Sequence, residues 1–150
     1  MKINKKLDNL LRKQGFQKIP LETYASGHIV FHLFLNEYPA LFLLDTGASG
    51  TILTTDCIEK FSLKMEDTEE SGTGAGASNL KMHKAVQNSL VFKDLTIENI
   101  DLFVMDLTNV NESFLTIGHQ EIDGVLGADI LINYNCIVDY KGMNLYVGSI

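Results

Sequence analysis

The fold turns on one stretch, Leu41-Phe42-Leu43-Leu44-Asp45-Thr46-Gly47-Ala48-Ser49. A run of apolar residues, read as a buried strand, ends in a carboxylate, and a small glycine-bearing turn follows. Burying a carboxylate at a strand end is unfavourable unless its charge is accommodated. Gly47 and Ala48 leave room for backbone or a partner group to come close, and the Thr46 hydroxyl can hold a neighbouring backbone. Two readings stay open on this segment alone. Asp45 either caps its own loop as an Asx-turn, or is held at the strand end for chemistry.

A second segment bears on that choice: Ile122-Asp123-Gly124-Val125-Leu126-Gly127-Ala128-Asp129-Ile130-Leu131. Val125-Leu126-Gly127 reads as a short strand able to lie behind the Asp45 turn, with Gly127 permitting close approach. Asp123-Gly124 reads as a turn before that strand. Asp129 is expected to cap the short helix Asp129–Tyr134.

Working outward, Gly27–Leu35 and Pro39–Leu44 read as two strands joined by a turn at Asn36-Glu37. Thr54–Leu63 is a helical candidate with Ile58 and Phe61 inward. Lys81–Phe92 and Thr96–Leu107 read as strands, and Asn135–Tyr140 with Asn144–Val147 as a hairpin around Lys141-Gly142. Ile3–Gln14 places Ile3, Leu7, Leu10 and Leu11 on one helical face, with Lys and Asp opposite, and Gly15 is a plausible stop. Such a helix can dock on its own domain, join a dimer contact or act as an arm. The expectation is one compact, mainly β domain over residues 21–150, preceded by a helix and linker over residues 1–20.

Between the two motifs lies an acidic stretch followed by Gly72-Thr73-Gly74-Ala75-Gly76. A nucleotide loop needs a strand before it, a helix after it and a Gly-Lys-Ser/Thr signature. Here carboxylates precede it and no such signature follows, so the segment reads as a mobile lid-like loop or an inert one.

The 150 residues are 45% hydrophobic and 21% charged, ordinary values for a globular domain. Twelve basic against nineteen acidic residues give a net charge of −7. An acidic chain without a basic patch is a poor match for nucleic acid or an anionic membrane. No apolar run approaches a membrane span. The lysine-rich start lacks the apolar segment of a signal peptide. Cys57 and Cys136 have no metal or redox spacing and read as free thiols of a reducing, cytoplasmic compartment. His28, His32, His83 and His119 are scattered without zinc-ligand spacing, so no metal and no cofactor is expected.

The pair DTGAS at 45–49 and GVLGADIL at 124–131 resembles the retropepsin-like aspartic proteases, the single-lobed relatives of pepsin. The hairpin from Cys136 to Val147 is similar to the C-terminal end of bacterial members, and the resemblance spans about Gly27 to Val147. It implies a single-lobed, closed β-barrel with a glycine-rich flap and one or two short helices. The N-terminal helix has no counterpart in the minimal retroviral form. It implies that Asp45 is the catalytic aspartate and that the Thr46 hydroxyl locks two catalytic loops together. Gly47 receives the substrate main chain, Ala48 sits where retroviral enzymes also have Ala, and Ser49 stands where they carry Asp. Gly72, Thr73, Gly74, Ala75 and Gly76 occupy the place of the flap. Val125, Leu126, Gly127 and Asp129 form the supporting motif.

The implied activity is an aspartic endopeptidase acting on an extended peptide. That chemistry uses two carboxylates sharing a proton. One chain carries one Asp-Thr-Gly, so a symmetric homodimer is implied. The alternative expectation is a catalytically silent module of the same fold that binds peptides or a protein partner.

Overall fold

The computed structural model describes residues 2–66, 70–74 and 77–148. In chain order these form α1 (Lys2–Lys13), β1 (Gln17–Pro20), β2 (Glu22–Thr23), β3 (Ile29–Leu35) and β4 (Tyr38–Leu44). Then come β5 (Ile52–Thr54), α2 (Cys57–Lys60), β6 (Lys64–Met65), β7 (Glu70–Gly74) and β8 (Ala77–Phe92). β9 (Leu95–Met105), α3 (Thr108–Thr116), β10 (Gly124–Leu126), α4 (Ala128–Asn133), β11 (Ile137–Asp139) and β12 (Asn144–Val147) complete the chain.

The β3–β4 hairpin is the centre of the architecture. Asn36 and Glu37 both take positive φ, +47° and +72°, the backbone that a two-residue hairpin with native twist requires. Over Ile29–Phe31 and Ala40–Leu43 the two strands are apolar on both faces because both faces are covered there. Phe31, Leu33, Leu35 and Phe42 enter the main core with Leu53, Phe92, Leu102 and Leu126. Val30, Leu41 and Leu43 face a second cluster with Tyr24, Phe114, Ile122 and Val125, against which Ala48 packs.

Among the described residues the larger sheet follows β2-β3-β4-β10-β5-β9-β8-β6. A further β3–β8 pairing, Phe34 with Val91 and Leu35 with Leu90, brings the path back on itself. β3, β4, β10, β5, β9 and β8 therefore form a ring, and the fold is mainly β and single-lobed. A smaller sheet, β1-β12-β11, closes the C-terminal side.

Several local expectations change. Gln17–Pro20, read as linker, is strand β1, paired antiparallel with β12 from Gln17–Val147 to Pro20–Asn144. The helical stretch expected at Thr54–Leu63 contracts to one turn, α2, because its first residue completes β5. Helix α3 lies where no element was expected, and it covers the second cluster through Phe114 while Asn111 exchanges two hydrogen bonds with the backbone of Ile122. The helical face of α1 is also turned. Leu11 is buried, Leu10 is 54% exposed, and Asp8 points inward, to Lys18 Nζ at 3.3 Å and the Tyr146 hydroxyl at 3.2 Å. Partial burial raises the Asp8 carboxyl, but Lys18, Tyr146 and Arg12 outweigh it and hold the group below its ordinary value. Docking on its own domain is thus what α1 does in this structure.

Candidate active site

β4 delivers Asp45 from between two neighbours, β3 antiparallel on one side and β10 parallel on the other, with Phe42, Leu43 and Leu44 level with Gly124, Val125 and Leu126. The Asp45 N–H still donates to the Leu126 carbonyl at 3.1 Å. Beyond it the chain leaves the sheet in a tight turn, closed by the Ala48 N–H on the Asp45 carbonyl at 3.2 Å. The Gly47 N–H donates to Asp45 Oδ1 at 2.9 Å. The Asx-turn contact is therefore present, and it sets the direction of the carboxylate. A Cβ at position 47 would lie 3.2 Å from that oxygen, tighter than ordinary contact, so glycine gives the carboxylate its room. Asp45, Thr46, Gly47 and Ser49 are exposed and Ala48 is half-buried. The expected burial of Asp45 is not found in the single chain, because the turn carries it past the last buried residue of β4.

The turn is braced from behind. Gly127 passes so close that a Cβ there would sit 2.6 Å from the Gly50 carbonyl oxygen and 2.8 Å from that of Ala48. The Ala128 N–H donates to the Ala48 carbonyl at 2.7 Å. The buried Thr51 hydroxyl accepts from the Gly127 N–H at 3.1 Å and donates to Asp129 Oδ1 at 2.7 Å, while the Thr51 N–H donates to Asp129 Oδ2 at 3.0 Å. Asp129 is not the helix cap. Gly127 holds the cap position of α4, without a side-chain bond, and the Asp129 carboxylate instead spans to the strand after the Asp45 loop. Thr51 escaped sequence reasoning; the signal was a hydroxyl residue directly before the apolar pair Ile52-Leu53, immediately after Asp-Thr-Gly-Ala-Ser-Gly.

Asp123 is likewise not a turn residue. It is buried, with Oδ2 accepting from the Leu41 N–H at 2.9 Å and Oδ1 from Lys60 Nζ at 2.6 Å. Its carbonyl accepts from the Thr54 N–H and the Cys57 thiol. One carboxylate thus straps β4, α2 and the start of β10 together, and removing the Lys60 ammonium would leave the buried Asp123 charge without its counter-ion.

The glycine-rich segment forms a hairpin. β7 pairs antiparallel with the first part of β8, Gly72 opposite Leu80 and Gly74 opposite Ala77, with an irregularity between Gly72 and Gly74. Ala75 and Gly76 lie outside the described residues.

Beside Thr46 a depression of about 460 Å³ is lined by Ala128, Leu131, Ile132, Cys136 and Val138, and Ile132 is 72% exposed. Burial pushes the Cys136 thiol up to about 12. Burial, followed by the nearby Asp123 carboxylate, does the same to Cys57. At pH 7 only about one thiol in 10⁵ is then ionised, and the thiolate is the reactive form. The native chain is expected to resist iodoacetamide at pH 7, gaining reactivity only as pH climbs towards 12, and to take up two labels once unfolded in urea. Rapid labelling of the folded chain, read by mass, would contradict the burial.

Among the described residues no cluster of His, Cys, Asp and Glu could hold a metal ion, and no helix is long and apolar enough to cross a membrane.

Comparison with known proteins fits this geometry. No curated protein matches the sequence. Among solved structures, a retropepsin-like aspartic protease from Rickettsia conorii superposes with a TM-score of 0.58 at 22% identity, covering 88% of this chain and 91% of that one. The EIAV protease, in complex with an inhibitor, gives 0.56 at 22% identity, over 76% of this chain and 95% of that one. The retroviral protease-like domain of Ddi1 from Leishmania major gives 0.54 at 14% identity, over 90% of each chain. The fold is thus retropepsin-like. The aspartyl protease family model matches residues 32–130, which hold the Asp45 turn, the Thr51 brace and the Gly127 support, and the chain belongs to that family.

Proposed function

We propose that this protein is an aspartic endopeptidase that works as a symmetric homodimer, with one Asp45 from each copy flanking the attacking water. The observation that carries the reading is a single exposed carboxylate on a rigidly braced Asp-Thr-Gly turn, in a chain that has one such turn. Two Asp45 side chains about 3 Å apart cannot both ionise comfortably, so one proton is shared between them. The ionised member takes a proton from water while the protonated member polarises the scissile carbonyl. The pair supplies base and acid together and needs no metal. The Thr46 hydroxyl, in the same turn, bonds into the opposite loop of the second copy. An apolar surface at Leu131, Ile132 and Val138, next to Thr46, supports burial against a second copy. The β7–β8 hairpin supports an extended peptide as substrate, bound by strand-like main-chain contacts.

The test is subunit poisoning. Wild-type chain hydrolyses an unfolded protein such as casein, and its activity is measured with increasing amounts of Asp45→Asn chain. With a ninefold excess of the variant and random pairing, activity per wild-type chain should fall to about one-tenth, because a C₂ site needs both copies. Specific activity should also drop on dilution below the dimer's dissociation constant. Undiminished activity in the mixture, or constant specific activity for a species that sediments as a monomer, would remove the shared site, whereas a wild-type chain that hydrolyses nothing would leave a peptide-binding module.

A further inference from the structure

The net charge of −7 conceals a segregation that the summed composition misses. Six of the twelve basic residues and one of the nineteen acidic residues precede residue 19, so the first eighteen residues carry +5 and the rest of the chain −12. The expectation of no basic patch is corrected accordingly. On α1 the one carboxylate, Asp8, is turned inward and engaged by Lys18, while Lys5, Lys6, Arg12 and Lys13 are exposed. Lys18 also lines a groove of about 530 Å³ between β1, the β3–β4 hairpin and the β8–β9 turn. The groove is apolar at Pro20, Phe34, Pro39 and Val91, and Lys93 and His32 join Lys18 at its border. Phe34 is 46% exposed, on the same face as exposed His32 and on a strand whose remaining residues are buried. Glu22 is the one carboxylate among the lining residues.

We propose that this groove and the outer face of α1 together dock an acidic protein segment bearing an aromatic or aliphatic side chain. The apolar side chain fills the groove against Phe34, and the flanking carboxylates meet Lys93 and the lysines of α1. Glu22 opposes an acidic segment, but Lys18 and Lys93 at the same border outnumber it. The charge pattern selects the occupant. A long polyanion such as duplex DNA meets the −12 of the remaining chain. A bilayer needs the apolar face of α1, yet Leu11 is buried in the domain and Leu7 is half-buried, so among the described side chains of α1 Leu10 is the exposed apolar one. The groove is separate from the Asp45 turn. Pro39 is six residues before Asp45 on the same strand, about 20 Å away at strand rise. A protein held here presents another part of its chain to Asp45 at raised effective concentration. The docking itself does not depend on the peptidase reading, because binding can be read without cleavage.

Fluorescence anisotropy on the full Asp45→Asn chain tests it, using a labelled peptide of glutamates flanking one phenylalanine. The expected result is saturable binding that weakens about tenfold for Phe34→Ser, about tenfold for Lys93→Glu, and further for Lys5→Glu with Lys6→Glu. Binding should also weaken at least tenfold between about 50 and 300 mM salt, where screening shortens. These positions are exposed, and unchanged thermal unfolding of each variant checks that the fold is kept. The proposal is overturned if the variants bind as well as the parent, if a peptide with lysine for glutamate binds equally, or if removing the phenylalanine changes nothing. Tighter binding of duplex DNA or phosphatidylserine vesicles also overturns it, as does a Phe34→Ser chain that merely turns from dimer to monomer. A peptidase that fails to cleave leaves this binding result untouched, so the two proposals fail separately.

Discussion

Asp45→Asn should reduce peptide-bond hydrolysis by about a thousandfold or more while leaving the folded chain almost unchanged. Asparagine can neither accept the proton of the attacking water nor share a proton across a two-fold axis, so both the acid and the base are lost together, and general acid–base catalysis alone contributes about 10²–10⁴. The structural effect is small for a specific reason. The loop contact seen at Asp45 is the Gly47 N–H on Oδ1, and the amide oxygen of Asn accepts that bond equally well. Asp45 is exposed, and exposed substitutions of this kind change stability by about 0.5 kcal/mol or less. In the proposed dimer the change even removes like-charge repulsion. Hydrolysis of an unfolded substrate and thermal unfolding, measured on the same preparations, give the two numbers. Activity that survives in pure Asp45→Asn protein removes Asp45 from the chemistry.

The Asp45 hairpin was legible because its signals are local and strong. Nine of the fourteen residues in its two strands are buried, in runs of apolar sequence, and the Asn36-Glu37 turn lies where the two runs meet. Gly127 was legible as a point of close approach because a glycine after two apolar residues has few other reasons to be there. What escaped depends on partners far along the chain. Thr108-Asn-Val-Asn-Glu-Ser-Phe-Leu-Thr116 has little helical periodicity; α3 is held by Phe114 in the second cluster and by Asn111 against Ile122, so packing overrides propensity. Gln17–Pro20 looks like linker because a polar stretch ending in proline suits an edge strand, and its partner β12 is at the other end of the sequence. Asp129 fits the local pattern of a helix cap, yet its carboxylate serves Thr51, 78 residues away. The inward turn of Asp8 has the same origin: Lys18 and Tyr146 supply a polar pocket that a helical wheel cannot show. Charge failed for a different reason, since a sum over the chain discards position.

Gly127→Ala should be the most damaging single-methyl change at the Asp45 loop. Backbone conformation is not the cause. Gly127 has φ −104° and ψ −176°, an extended geometry that alanine adopts freely. The obstacle is what the new Cβ meets: the Gly50 carbonyl oxygen at 2.6 Å, its carbon at 2.7 Å and the Ala48 carbonyl oxygen at 2.8 Å. All three are backbone atoms, so no side chain can swing aside, and the Asp45 loop must retreat from β10 by close to 1 Å to restore contact distance. That movement strains the Ala128 N–H bond to Ala48 and the Gly127 N–H bond to the Thr51 hydroxyl. Overpacking of this kind destabilises by about 1–3 kcal/mol. The effect on turnover should be larger, because a displacement of about 1 Å at a reacting group can lower the rate about a hundredfold. Gly50→Ala is the matched control. Its Cβ would meet only the Phe103 ring, at 3.5 Å, which is ordinary contact, so stability and turnover should stay close to those of the parent. Thermal unfolding separates the two effects: at a temperature where Gly127→Ala is still fully folded, a deficit in turnover reports the displaced loop and not a loss of folded protein. Equal stability and equal turnover for Gly127→Ala and Gly50→Ala would mean that β10 does not brace the Asp45 turn.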